Sequence, residues 1–355
     1  MSARDKDDAP ESDAFPGAPH PRFATTLIGH ASAERDALAA LSEGRMPHAW
    51  LFGGPEGIGK ATFAWSLARF VLANPDPTKA ARAATSLATP HDTQPGRLID
   101  RLAHPDLALV RRRYDEKRKV FLTQISADET KDKLTLFQRT SGFGGWRVCI
   151  VDCAEDLNVH SANALLKVIE EPPARSLIVL VAHRIGAVLP TIRSRCRKVT
   201  LAPLSGADVG AVIGGLGAPF ADRPAADIAH AAAASKGSVR EALRRLAADD
   251  GASVGAIIDA AIAALPHPPA ALADRLADAL AAKGAEDDWA ALEIALADWT
   301  IARARGASAT PKREEWLALW DRVRAILTET EAINLDKRLA VHAALAEIES
   351  AAAAA

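Results

Sequence analysis

The chain has 355 residues, 49% apolar and 25% charged, with a net charge of −2. That length accommodates two or three domains, and the composition is that expected of a soluble globular protein. The near-zero charge excludes a molecule that gathers DNA or anionic lipid through its overall field, so any nucleic-acid contact must be local or shared with partners.

The first segment, "MSARDKDDAPESDAFPGAPHP", is polar and proline-rich, and it predicts a disordered tail over residues 1–21 with no secretory signal. No run of about 18 apolar residues occurs, so no membrane span is expected. Cys149, Cys153 and Cys196 are the three cysteines. An odd, small number fits a reducing cytoplasm better than a disulfide scaffold, and the spacing lacks the four close ligands of a structural zinc site.

In "ASAERDALAALSEGRM", Ala33, Ala37, Leu38 and Leu41 share one helical face. "HAWLFGG" is a short apolar strand running into glycines, and "KATFAWSLARFVLA" is an amphipathic helix. Residues 74–103 show no clear period and predict a loose connection with some helix. "LALVRRRYDEKRKVFLTQIS" predicts two strands around a turn at Tyr114–Lys117. "ADETKDKLTLFQRTS" and "SANALLKVIEEPP" predict helices, the second stopped by Pro172 and Pro173; "WRVCIVDC" and "SLIVLVAH" predict buried strands, and "CRKVTLAP" closes the set. Strands alternating with helices predict a parallel α/β sheet covered on both faces. From Leu204 onward only helix is expected, broken at "LPHPPAAL" (Leu265–Leu272), with "RGASATPKREEW" as a loop and the last alanines as a frayed end.

The strand–glycine–helix passage contains "GGPEGIGKATF", in which Gly54, Gly59 and Lys60 fit the G-x-x-x-x-G-K spacing and Gly57 lies between. Glycines let successive backbone N–H groups converge on one anion, and the following helix adds its positive end. Lys60 is placed to meet the β- and γ-phosphates of ATP, or the β-phosphate of ADP; the alternative is a glycine turn with a surface lysine. Ala61 stands where a Ser or Thr hydroxyl would hold Mg²⁺, and Thr62 comes about 100° further round the helix. Asp152, at the end of "RVCIVDC", occupies the position of a metal-facing carboxylate, or else is a turn residue. The next position, where a base would activate water, is Cys153. Loss of a general base costs roughly 10²–10⁴-fold in rate. The two departures together point to nucleotide binding without turnover.

"PHAWLFGGPEGIGK", "VDCAED", "NALLKVIEEPP", "TIRSRC" and "GSVREALRRL" occur in that order, and with them the sequence resembles the clamp-loader family of AAA+ proteins over about residues 22–250. The resemblance implies an AAA+ α/β domain over 22–203, a helical lid over 204–265 and an all-α collar domain over 266–350. It implies a hetero-pentamer with motor subunits of the tau/gamma type and a delta wrench subunit, acting on a sliding clamp and primer-template DNA in the bacterial cytoplasm, with no membrane. It makes Arg195, of Ser-Arg-Cys, an arginine finger reaching a neighbour's ATP site, a role that a lone surface arginine would not suggest. It makes Arg240 the lid arginine that senses nucleotide in cis, with a helix-surface ion pair as the alternative. The departures at Ala61 and Cys153 imply a non-hydrolysing stator, for which nucleotide is not required. A nucleotide-gated or ATP-hydrolysing motor subunit is the alternative. His183 and Arg184 stand where motors carry Thr or Asn, and residues 64–140 contain no cysteine, so the zinc module of many relatives is not expected. The basic run Arg111–Lys119 is read as an exposed hairpin or as a contact to a partner or DNA.

Overall fold

The computed structural model describes residues 10–247, 254–282, 285–306, 310–332 and 335–354. The chain divides into two compact units, Met1–Leu243 and Arg244–Ala355. The first runs α1 (Ala31–Ser42), β1 (Ala49–Gly53), α2 (Lys60–Ala73), α3 (Pro77–Ala83), α4 (Gln94–Asp100), β2 (Leu107–Val110), β3 (Tyr114–Asp115), β4 (Val120–Phe121), α5 (Ala127–Leu134), β5 (Arg147–Val151), α6 (Val159–Glu170), β6 (Ser176–Ala182), α7 (Pro190–Arg195), β7 (Arg197–Thr200), α8 (Gly206–Gly215), α9 (Ala225–Ala234) and α10 (Val239–Ala247).

Five strands form one parallel sheet in the order β2-β5-β6-β1-β7. All five residues of β1 and all seven of β6 are buried. This is why these strands read as unbroken apolar runs: a sheet covered by helices on both faces leaves no polar side to alternate with. The period of two survives in the packing. Trp50, Phe52, Val148, Ile150, Leu177 and Val179 enter the core beside α2, where Phe52 stacks on Phe63 at 4.5 Å between centroids. Leu51, Cys149, Val151, Ile178 and Leu180 enter the opposite core, with Leu165 and Ile169 of α6.

The helices begin where the local chemistry starts them. The Asn158 side chain accepts from the Ser161 N–H at 2.8 Å at the head of α6, and Ser205 and Asp208 form a reciprocal capping box on α8. Past Glu171, Pro172 and Pro173 cannot continue α6.

Two expectations change in the first unit. The stretch 107–126 holds three short strands: β2 joins the main sheet, while β3 and β4 form a separate antiparallel pair whose turn lies after Tyr114 rather than starting at it. Residues 10–21 are not a disordered tail. They fold onto the first unit, with His20 buried and capping a 3-10 turn at Pro21–Phe23. Residues 1–9 of the expected tail lie outside the described residues.

The second unit carries α11 (Val254–Ala263), α12 (Ala270–Ala281), α13 (Glu286–Gly306), α14 (Thr310–Ala332) and α15 (Lys337–Ala354). Leu276 and Leu280 of α12, Leu319, Val323 and Leu327 of α14, and Trp289 and Leu292 of α13 fill its core at the three- and four-residue spacing of buried helix faces. Helix α14 takes up most of the expected loop "RGASATPKREEW": residues 307–309 lie outside the described residues, and 310–316 are helical. A proline in a first helical turn costs no hydrogen bond, so Pro311 does not delay it. Among the described residues no helix is long and apolar enough to cross a membrane.

Candidate functional site

The phosphate loop joins β1 to α2 in the first unit. Gly54, Gly57 and Gly59 have φ of 143°, 75° and 98°, a backbone region that only glycine enters without strain. At Gly57 space is restricted as well: an added Cβ would lie 2.3 Å from Ser238 Oγ and 2.6 Å from Arg240 Cβ. The loop is thus pressed against the start of α10, and the Val239 N–H donates to the Gly57 carbonyl at 2.8 Å. From the other side, His30 Nε2 lies 2.6 Å from the Ile58 carbonyl.

A cavity of about 530 Å³ opens beside the loop, lined by Gly57, Gly59, Lys60, Ala61, Thr62, Asp152, His183 and Arg240 among others. The sequence-designated residues therefore converge, with Gly54 just behind. Lys60 is buried and turns back on its own loop, donating to the carbonyls of Gly54 and Pro55. Burial lowers it to about 8, against the opposing pull of Glu56, Glu155 and Asp152. Asp152 follows β5 directly and is 6% exposed. Burial pushes it up to about 7, with the charge of Asp13 adding and those of Arg111 and Lys60 opposing. Ala61 brings a methyl group to the wall where a metal ligand would be needed.

Cys153 sits in the left-handed region at φ 58°, which turns the chain off the end of β5. Its sulfur lies 3.3 Å from His183 Nε2, at the end of the adjacent β6. Burial, reinforced by the carboxylates of Asp152, Asp156 and Glu155, raises the thiol well above its ordinary range. Burial and the Lys60 charge lower His183 to about 4. The pair is thus a protonated thiol, which is no base, against an imidazole whose lowered proton affinity makes it a weak one. Glu155 does not line the cavity. Its Oε1 accepts from the N–H groups of His183 and Arg184 at 2.7 and 3.0 Å, which fixes it as a cap on the end of β6.

The two arginines separate. Arg240, in the first turn of α10, lines the cavity, and its Nε lies 3.0 Å from Glu56. Arg195, at the end of α7, is not among the lining residues. Its side chain is 42% exposed and meets Glu170, the last residue of α6, at 2.8 Å. Glu170 belongs to "NALLKVIEEPP", so that stretch and "TIRSRC" are coupled through one ion pair.

Sequence reading missed several other groups. Asp13 and Glu11 pair with Arg111 at 2.6 and 2.7 Å, and Arg112 pairs with Asp156 at 3.3 Å. The first two members of the basic run therefore face inward, while Lys117, Arg118 and Lys119 remain on an exposed hairpin. His30, Glu155 and Glu170 also hold the site in place. No local pattern marks any of them, because each partner lies far along the chain.

A family model described as DNA polymerase III, delta subunit, matches residues 30–205. The chain is 33% identical over 197 residues to DNA polymerase III subunit delta′ of Pseudomonas aeruginosa, covering 56% of this chain and 55% of that protein. It is 31% identical over 171 residues to DNA polymerase III subunit tau of Salmonella typhimurium, covering 46% and 23%. A gamma subunit-related protein of Thermotoga maritima superposes with a TM-score of 0.44 at 16% identity, over 89% of this chain and 99% of that one. The chain thus spans about half the length of the Pseudomonas relative and about a quarter of the Salmonella one. The matched segment contains the phosphate loop, Asp152 and Arg195, and over it the chain is similar to the clamp-loader subunits of DNA polymerase III.

Proposed function

We propose that this chain acts as the delta-prime-type stator of a bacterial clamp loader. It hydrolyses no ATP itself and lends Arg195 to the ATP site of a neighbouring motor subunit. The observation that carries the reading is the separation of the two arginines: Arg240 lines the chain's own cavity, whereas Arg195 lies outside it, exposed and held by Glu170. A guanidinium supplied in trans neutralises charge spread over the transferring phosphoryl group, an effect worth roughly 10³–10⁵-fold in GTPase systems. Ala61 and the neutral Cys153–His183 pair support the absence of hydrolysis in cis.

On this reading the partners are tau/gamma-type motors and a delta wrench subunit in the cytoplasm. The helical unit Arg244–Ala355 contributes to the collar, and the assembly places a sliding clamp on primed DNA. The test is reconstitution with the motor and wrench subunits. Arg195→Ala should reduce DNA-stimulated hydrolysis at the neighbouring site by roughly 10³-fold, and clamp loading with it. Lys60→Ala should change both little. The reverse pattern would remove the stator role.

A further inference from the structure

The N-terminal strap is held across the cavity by its own charges. Ser12, Asp13, Phe15, Pro19 and His20 line the same space as Lys60, Asp152 and Arg240. The strap is fastened at several points. Glu11 meets Arg22 at 2.6 Å and Arg111 at 2.7 Å. Asp13, whose side chain is 2% exposed, meets Arg111 at 2.6 Å and His20 at 2.8 Å. The His20 ring sits edge-on to Trp65 of α2, 5.9 Å between centroids.

The strap also engages groups that a nucleotide would use. Arg240 Nη1 donates to the Ala14 carbonyl at 3.1 Å, and its guanidinium carbon lies 5.8 Å from the centre of the Phe15 ring. Phe15 in turn packs edge-on against Phe220 at 5.9 Å. Lys60, the other cationic side chain in the lining, is bonded to loop carbonyls. Asp13 stands near enough to Asp152 for its charge to oppose ionisation there, and a second carboxylate at that point repels a triphosphate.

We propose that Glu11–His20 is an intramolecular competitor for the phosphate-loop cavity: it holds Arg240 and sets the Asp13 carboxylate into the lining that Asp152 shares, so a nucleoside triphosphate binds only when the Arg111 anchor releases the strap. This rests on the loop being a nucleotide site and is independent of the role given to Arg195. A site whose competent state is a minor population shows its affinity reduced by that fraction. Weakening the anchor raises the fraction.

The test measures binding of a fluorescent ATP analogue, mant-ATP, with Mg²⁺, to the unaltered full chain and to Asp13→Asn, Arg111→Met and Phe15→Ala, with amide exchange over residues 10–20 followed alongside. Expected are faster exchange of the strap in all three variants and affinity raised about tenfold or more for the two anchor variants, less for Phe15→Ala. Phe15 belongs to neither core of the first unit, so its variant keeps the test alive if an anchor variant fails to fold. Three results would overturn the proposal: unchanged affinity with the strap released, weaker binding (a lid that clamps nucleotide), or no binding by any folded variant. None of these bears on the Arg195→Ala comparison, since every strap variant retains Arg195.

Discussion

The sulfur of Cys153 faces Nε2 of His183 at 3.3 Å, across the ends of β5 and β6. A base that activates water would have to occupy this place. Restoring a carboxylate there should not restore hydrolysis, because Ala61 still offers no hydroxyl to a metal. Cys153→Glu is expected to release phosphate from Mg·ATP at the background rate of the unaltered chain. Hydrolysis raised by roughly 10²-fold or more would mean that the base alone was missing.

Asp152 gives a pH signature in stability. Its pKa in the folded chain is about 7, against an ordinary 3.8. Between those values the folded state keeps a proton that the unfolded state has lost, so this group's contribution to stability is full below pH 4 and falls as pH rises to 7. Asp152→Asn removes that dependence. The variant's melting temperature should gain on the unaltered chain progressively from pH 4 to pH 7 and hold the gain above. Each tenfold difference in proton affinity between the folded and unfolded states corresponds to at most about 1.4 kcal/mol of that gain. A gain independent of pH would place the carboxyl in a wetter setting.

Gly57 and Gly44 both have positive φ, 75° and 66°, but only Gly57 is crowded; nothing lies within 4 Å of a Cβ added at Gly44. Gly44→Ala should therefore cost about 1 kcal/mol, from backbone strain alone. Gly57→Ala should cost about 1–3 kcal/mol, because Ser238 and Arg240 must also move. Urea unfolding of the two variants compares them directly, and equal costs would mean that the loop does not press on α10.

The Arg195–Glu170 pair is exposed on both sides, at 42% and 46%, so it contributes little to folding. Glu170→Ala should shift stability by about 1 kcal/mol or less. In a reconstituted complex it should lower hydrolysis less than Arg195→Ala does, because the arginine remains and only its resting position is lost. An effect equal to that of Arg195→Ala would make Glu170 part of the neighbour's site rather than a rest for the finger.

The phosphate loop was readable in the sequence because everything that makes it is local. Glycines, lysine, the apolar strand and the helical period fall between Ala49 and Ala73, and the bounds of α2 coincide with "KATFAWSLARFVLA". The sheet was readable for a related reason: strands buried on both faces must be continuous apolar runs, as in β1 and β6. The strap was not readable. "PESDAFPGAPHP" has too little apolar surface to announce order, and it is held by charges distant in sequence: Asp13 to Arg111 across 98 residues, and Arg240 to Ala14 across 226. The same distance hid the thiol–imidazole pair and the tie between Glu170 and Arg195. By itself the sequence determined the glycine loop, the buried strands and the helices that flank them, and which reactive groups are missing, because those depend on neighbours along the chain. Only the tertiary structure decided which side chains face the cavity, which face outward and what lies across its mouth, because those depend on packing between segments that the sequence keeps apart.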